Sequence, residues 1–180
     1  MRRAVLACLL LTLLVGTWLR ASFAGLVTLP LVTPHVRHAH SHLGYFAVLF
    51  PLAWAALKAA GAPVPKPRFV VAYLIASLVA FAGFLRAGYG LEAIIGSTVV
   101  GLGWLYAAFL DRRALLEWRS WRGGIPLAIL IASVMVPPIA LYTRRDPVLA
   151  QALVQAFLLI LLLGAIAPAA LAARKVPSTY

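Results

Sequence analysis

The chain has 180 residues, of which 64% are hydrophobic and 11% charged, against about 45–50% and about 25% in soluble domains. That excludes an ordinary water-soluble fold and predicts one all-α membrane domain over residues 1–180, a bundle of six transmembrane helices. The 16 Lys and Arg against 4 Asp and Glu give a net charge of +12. These bases sit in short connections between apolar runs, so topology and anionic headgroups account for them and no nucleic-acid partner is expected.

The first apolar run spans Ala4–Leu29 and holds Cys8, the single cysteine, so no intrachain disulfide can form. Met1-Arg2-Arg3 ahead of it and Ser22-Phe23-Ala24 within it also match a cleavable signal peptide, which would leave five helices. The apolar stretch resumes at once through Leu31, which favours a retained helix. Arg20 falls late in this run, where a buried cation costs roughly 2.5–3.5 kcal/mol. It is expected to snorkel to the outer interface or to face an anion, such as a haem propionate or Glu92.

The second run, Leu43–Ala60, is preceded by Thr33-Pro34-His35-Val36-Arg37-His38-Ala39-His40-Ser41-His42, which contains all four histidines. Thr33 suits an N-cap and Pro34 the first helical position, so a helix starting here includes His35. His35, His38 and His42 then lie on one stripe at i, i+3 and i+7, with His40 on the opposite side. Imidazole is the commonest ligand for copper, zinc and haem iron, and polar groups entering a membrane segment are usually functional. The competing reading is a solvated, hydrogen-bonded histidine cluster at the interface. His38 and His42 stand out, because their i, i+4 pairing survives a late helix start.

Gly61-Ala62-Pro63-Val64-Pro65-Lys66-Pro67-Arg68 breaks the chain before the third run, Phe69–Leu85. The fourth, Leu91–Leu110, opens near Tyr89 and Glu92 and repeats small residues at Ala93, Ser97 and Gly101, a face for close helix packing. Asp111–Arg122 follows, with Trp118 and Trp121 as interfacial anchors. The fifth run, Ile125–Tyr142, carries Met135 and the Pro137-Pro138 pair, the expected local break; Pro51, Pro126 and Pro168 are further candidates for kinks or ends. The sixth, Val148–Ala173, carries Gln151 and Gln155 at i, i+4 and small residues at Ala165, Ala169 and Ala173.

Counted on alternate connections, 11 bases fall on the side of both termini and 5 (Arg20, Arg37, Arg86, Arg144, Arg145) on the other. Both termini are therefore expected in the cytoplasm. The histidine block, Tyr89, Glu92, Met135, Gln151 and Gln155 then share the outer level, where several helices could meet around the imidazoles. No phosphate-binding glycine loop, Gly-x-Ser-x-Gly elbow, Cys-x-x-Cys or intramembrane acidic pair occurs. Neither hydrolase chemistry nor ion-coupled transport is favoured.

The block Arg37-His38-Ala39-His40-Ser41-His42-Leu43-Gly44-Tyr45-Phe46, preceded by Arg20 one helix earlier, resembles the second-helix region of haem-copper oxidase and nitric-oxide reductase catalytic subunits. It is most similar in flavour to their smaller NnrS-like relatives. In that family a histidine here ligates a low-spin haem from the outer side, a role the resemblance places on His38 or His42. The likeness covers about residues 18–60. The family spans about twelve helices and draws further histidines from later ones, whereas this chain has none after His42, so a self-contained oxidase is not expected. The resemblance leaves three routes: half of a split subunit, a homo-oligomer sharing histidines, or His paired with Met135 on haem iron.

The expectation is a bacterial inner-membrane subunit, not a self-contained enzyme, binding haem b or copper through His38 and His42, with His35 and His40 secondary. Its role would be electron transfer or gas or metal handling within a homo-oligomer or larger complex. A small divalent-metal transporter or exporter, and a ligand-free structural or assembly subunit, are the alternatives.

Overall fold

Apolar runs parted by Gly, Pro and Arg favour helices, which bond every backbone N–H and C=O within one segment. The computed structural model describes residues 2–59, 61–113, 121–168 and 171. Among these residues there are six long helices and no strand: α1 (Arg2–Phe23), α2 (Thr33–Ala59), α3 (Pro67–Ala87), α4 (Leu91–Leu110), α5 (Trp121–Arg145) and α6 (Pro147–Leu161). The first four are long and apolar enough to cross a membrane. Shorter apolar stretches, Gly124–Met135 and Gln151–Ile166, lie in α5 and in α6 with its continuation.

Helix ends follow local chemistry. α1 stops at Phe23, short of the expected Leu29, because Gly25 takes φ +71. The Gly25 N–H then donates to the Ser22 carbonyl and the Leu26 N–H to that of Ala21, the paired closure that satisfies the last carbonyls of a helix. Gly61, at φ +76, closes α2 in the same way through Lys58 and Leu57. At the start of α6 the Asp146 carboxylate accepts from the Val148 and Leu149 N–H groups at 3.1 and 3.0 Å, and Pro147 occupies the first turn.

α2 is longer than the apolar run Leu43–Ala60 because the histidine block is part of it. Its N-cap is Val32, with extended backbone, rather than Thr33, and no side chain caps it. Pro34 fits the first turn with Thr33 already helical, so the threonine hydroxyl is not needed as a cap. The helix passes Pro51 by widening to π geometry over Gly44–Leu49, where the Phe50 N–H reaches back five residues to the Tyr45 carbonyl. A second π turn, Leu162–Ile166, precedes Pro168, and there the Ala167 N–H reaches the Leu162 carbonyl. Each widened turn contains the i−4 carbonyl with which the proline ring would otherwise clash, so opening the ladder keeps the helix continuous. The Pro137-Pro138 pair does not break the chain as expected, since α5 runs through it; a proline removes a ladder bond and can kink a long helix without ending it.

The chain divides into two compact units, Met1–Leu52 with Lys66–Gly103, and Ala53–Pro65 with Trp104–Tyr180. In the first, α2 packs against both α1 and α3. α3 and α4 approach at their backbones: a Cβ on Gly83 would lie 2.5 Å from the Ala93 nitrogen, and one on Gly96 2.7 Å from the Ala80 nitrogen. The packed face of α4 is therefore Ala93, Gly96 and Val100, all buried, and not the expected Ala93, Ser97 and Gly101. Gly101 faces open space. A four-residue repeat drifts around a helix of 3.6 residues per turn, whereas a mixed three- and four-residue spacing stays on one side. In the second unit α5 packs on α6, with Gly164 close to the Ala128 methyl and Ala165 buried. Ala169, Ala173 and Trp118 lie outside the described residues.

Most buried hydroxyls are satisfied within their own helix. Thr12 donates to the Cys8 carbonyl at 2.7 Å and Ser77 to that of Tyr73 at 2.9 Å, the back-bonding that lets such residues sit in apolar helices. Among the described residues two buried side-chain polar atoms have no partner, His40 Nδ1 and Ser97 Oγ.

Candidate ligand site at the histidine end of α2

The i, i+3, i+7 stripe survives into three dimensions. His35, His38 and His42 face the end of α3 and the turn that follows it. The His42 ring is stacked on Phe84, centroids 4.2 Å apart and planes 2° from parallel, with Phe46 at 4.9 Å. His38 meets Tyr89 edge-on at 5.1 Å and is tilted against Phe84 at 6.4 Å. Tyr89 also stands perpendicular to Phe84 at 5.1 Å. Edge-to-face and offset pairs of this kind each contribute about 0.5–1.5 kcal/mol beyond the area they cover, so the two imidazoles are held by an aromatic wall.

His35 lies over Gly88, where a Cβ would come within 2.8 Å of its Nε2. Gly88 takes φ +60, a conformation that non-glycine residues rarely hold. The short turn thereby brings Tyr89 down against the histidines. An ion pair between Arg86 and Glu92, both well exposed, bridges the two sides of this turn.

His40 faces the other way, as its helical position requires. Its ring fills the space left by Gly16 of α1, whose missing Cβ would lie 2.7 Å from Cε1. It is thus a packing element between α1 and α2, separate from the stripe.

Other expected site residues fall elsewhere. Arg20 is exposed in the last turn of α1, and Glu92, one anion expected for it, is engaged by Arg86 instead. The reason is local: Arg86 ends α3 and Glu92 begins α4, so their tight connection brings them together. Met135 is half-buried on α5 in the second unit, and Gln151 and Gln155 are exposed on α6. Phe84, Gly88 and Gly16 have no place in the sequence-based site, because an aromatic and two glycines in apolar runs carry no mark of what they will touch.

Among the described residues no group of three or more His, Cys, Asp or Glu side chains comes together as a metal site. The arrangement offers two adjacent imidazoles and an aromatic wall. Comparison of the chain with family models, with curated proteins and with solved structures gave no match.

Proposed function

We propose that the chain is a multi-pass protein of a bacterial inner membrane, with all six helices spanning and both termini cytoplasmic, that binds haem b through His38 or His42. It would act within an oligomer or larger complex, in electron transfer or in gas or metal handling. The observation that carries this reading is the pair of imidazoles on one side of α2, one turn apart, set against Phe84 and Tyr89.

The chemistry of the donor set favours haem over bare copper or a divalent cation. A bare ion draws three or four donors from the protein, and no such group is assembled among the described residues. Haem iron arrives with four ring nitrogens and asks the chain for only one or two axial ligands. The aromatic wall suits a flat macrocycle better than a hydrated ion. Arg20, exposed at the end of α1, is a suitable cation for a propionate. The His-Ala-His-Ser-His likeness to haem-copper oxidase relatives points the same way, and the 11-to-5 distribution of bases supports the orientation.

The test is the absorption spectrum and metal content of the full chain purified in detergent from haem- and metal-replete cells. A Soret band lost in a His38→Ala, His42→Ala double variant is the expected result. Bound copper or zinc without that band would turn the reading to metal handling or export, and neither signal would leave a structural or assembly role. Reporter fusions at both termini, both expected to read out as cytoplasmic, check the topology.

A further inference from the structure

Resting on the membrane topology of that reading, though not on its haem, we infer that the connection between α1 and α2, Ala24–Val32, is an interfacial anchor lying in the outer phospholipid headgroup layer.

The apolar run outlasts its helix. No charged residue occurs from Ala21 to Pro34, yet α1 ends at Phe23. The 22 residues of α1 cover about 33 Å at about 1.5 Å per residue, enough to cross a hydrocarbon core of about 30 Å. The apolar side chains from its end onward are left uncovered by the protein. Phe23 is 64% exposed, Leu26 77% and Val32 57%, and Val27 and Leu31 are exposed as well.

Two opposed requirements fix the level at which this segment can lie. The Leu26 N–H closes α1 on Ala21, but the N–H groups of Val27, Thr28, Leu29, Leu31 and Val32 reach no backbone carbonyl among the described residues. Unpaired backbone facing lipid is excluded from the hydrocarbon. A contiguous exposed apolar patch is in turn unfavourable in water and marks contact with protein or membrane. The headgroup layer satisfies both, hydrating the backbone while the side chains reach the acyl boundary. Charge selects lipid over a protein partner. Arg20 and Arg37 bracket the segment, both exposed, with no acidic residue between them, and cations so placed match lipid phosphates. The segment also continues the surface of α1, where Leu10, Leu13 and Leu14 are exposed in the same way.

The anchor sets the depth of the histidines. Val32 is the N-cap of α2, so His35, His38 and His42 lie roughly 3, 8 and 14 Å along the helix axis from Thr33, and the stripe runs inward from the headgroups.

The experiment places one nitroxide label at a time on the full chain, in a Cys8→Ala background, reconstituted into vesicles of phosphatidylethanolamine and phosphatidylglycerol. Leu26→Cys and Leu31→Cys report on the connection, Leu14→Cys on the middle of α1 and Lys66→Cys on water. Relaxation by oxygen, which concentrates in hydrocarbon, is compared with relaxation by a water-soluble nickel chelate. The expected oxygen-to-nickel ratio at 26 and 31 is several-fold above that at 66 and below that at 14. A ratio at 26 and 31 equal to that at 66 would put the connection in water, and one equal to that at 14 would put it in hydrocarbon; either overturns the anchor. Shielding from both reagents would also overturn it, showing cover by protein such as a second copy. Nickel access at 14 matching that at 66 would instead remove the membrane topology itself.

Discussion

The imidazole of His42 lies flat on the ring of Phe84, 4.2 Å away and 2° from parallel, although the two residues are far apart in sequence. This contact ties the polar start of α2 to the end of α3, and Phe84 is almost completely buried at 1% exposure. Phe84→Leu keeps most of the volume but removes the ring. Thermal unfolding in detergent should show a loss of about 0.5–1.5 kcal/mol, and His42→Leu should show a similar loss. If combining the two costs no less than the sum of the separate losses, the rings are not coupled.

The two faces of α4 should respond oppositely to one added methyl. Gly96→Ala drives a Cβ into the backbone of α3 at Ala80, so the helices must separate, at a cost of about 1–3 kcal/mol. Gly101→Ala meets nothing and should be neutral or slightly stabilising, since alanine is the better helix former. Equal melting temperatures for the two variants would contradict the close approach described above.

His40 carries a buried nitrogen with no partner. Replacing such a group by an apolar one of similar size removes a desolvation cost while retaining the packing against Gly16. His40→Leu should therefore match or exceed the wild-type melting temperature. A marked fall would mean that Nδ1 has a partner, such as a water, and that His40 is more than a wedge.

Gly88 is the hinge of the turn that carries Tyr89. Gly88→Ala imposes a strained backbone, about 1–3 kcal/mol, and pushes into His35. It should destabilise the protein and raise the exposure of Tyr89, read as greater quenching of the fluorescence of this residue in a variant whose other tyrosines and tryptophans are replaced. Unaltered quenching together with unaltered stability would show that the turn tolerates a side chain.

Neutralising one partner tests the Arg86–Glu92 bridge. Because both groups are well exposed, Arg86→Gln should change stability little, and any effect should fade with added salt. A large, salt-insensitive loss would place the pair in a far less hydrated setting.

Much of this organisation is written in local pattern. The apolar runs mark where helices lie, the stretch from Gly61 ends one of them, and the spacing of His35, His38 and His42 sets them on one side with His40 opposite, because helical period alone decides azimuth. The stop of α1 at Phe23, before the expected Leu29, is not legible in the run. What the stripe touches could not be read that way. Phe84, Gly88 and Gly16 look like any other residue of an apolar run, and only long-range packing gives them their contacts. The same holds for Glu92, drawn to Arg86 by a tight turn, and for α4, whose Gly96 and not Gly101 meets α3. The sequence by itself determined which segments are helical and which way the histidines point, since both depend on neighbours within a few residues. Only the tertiary structure decided what covers the rings and where backbones touch, since those depend on how separate helices settle against one another.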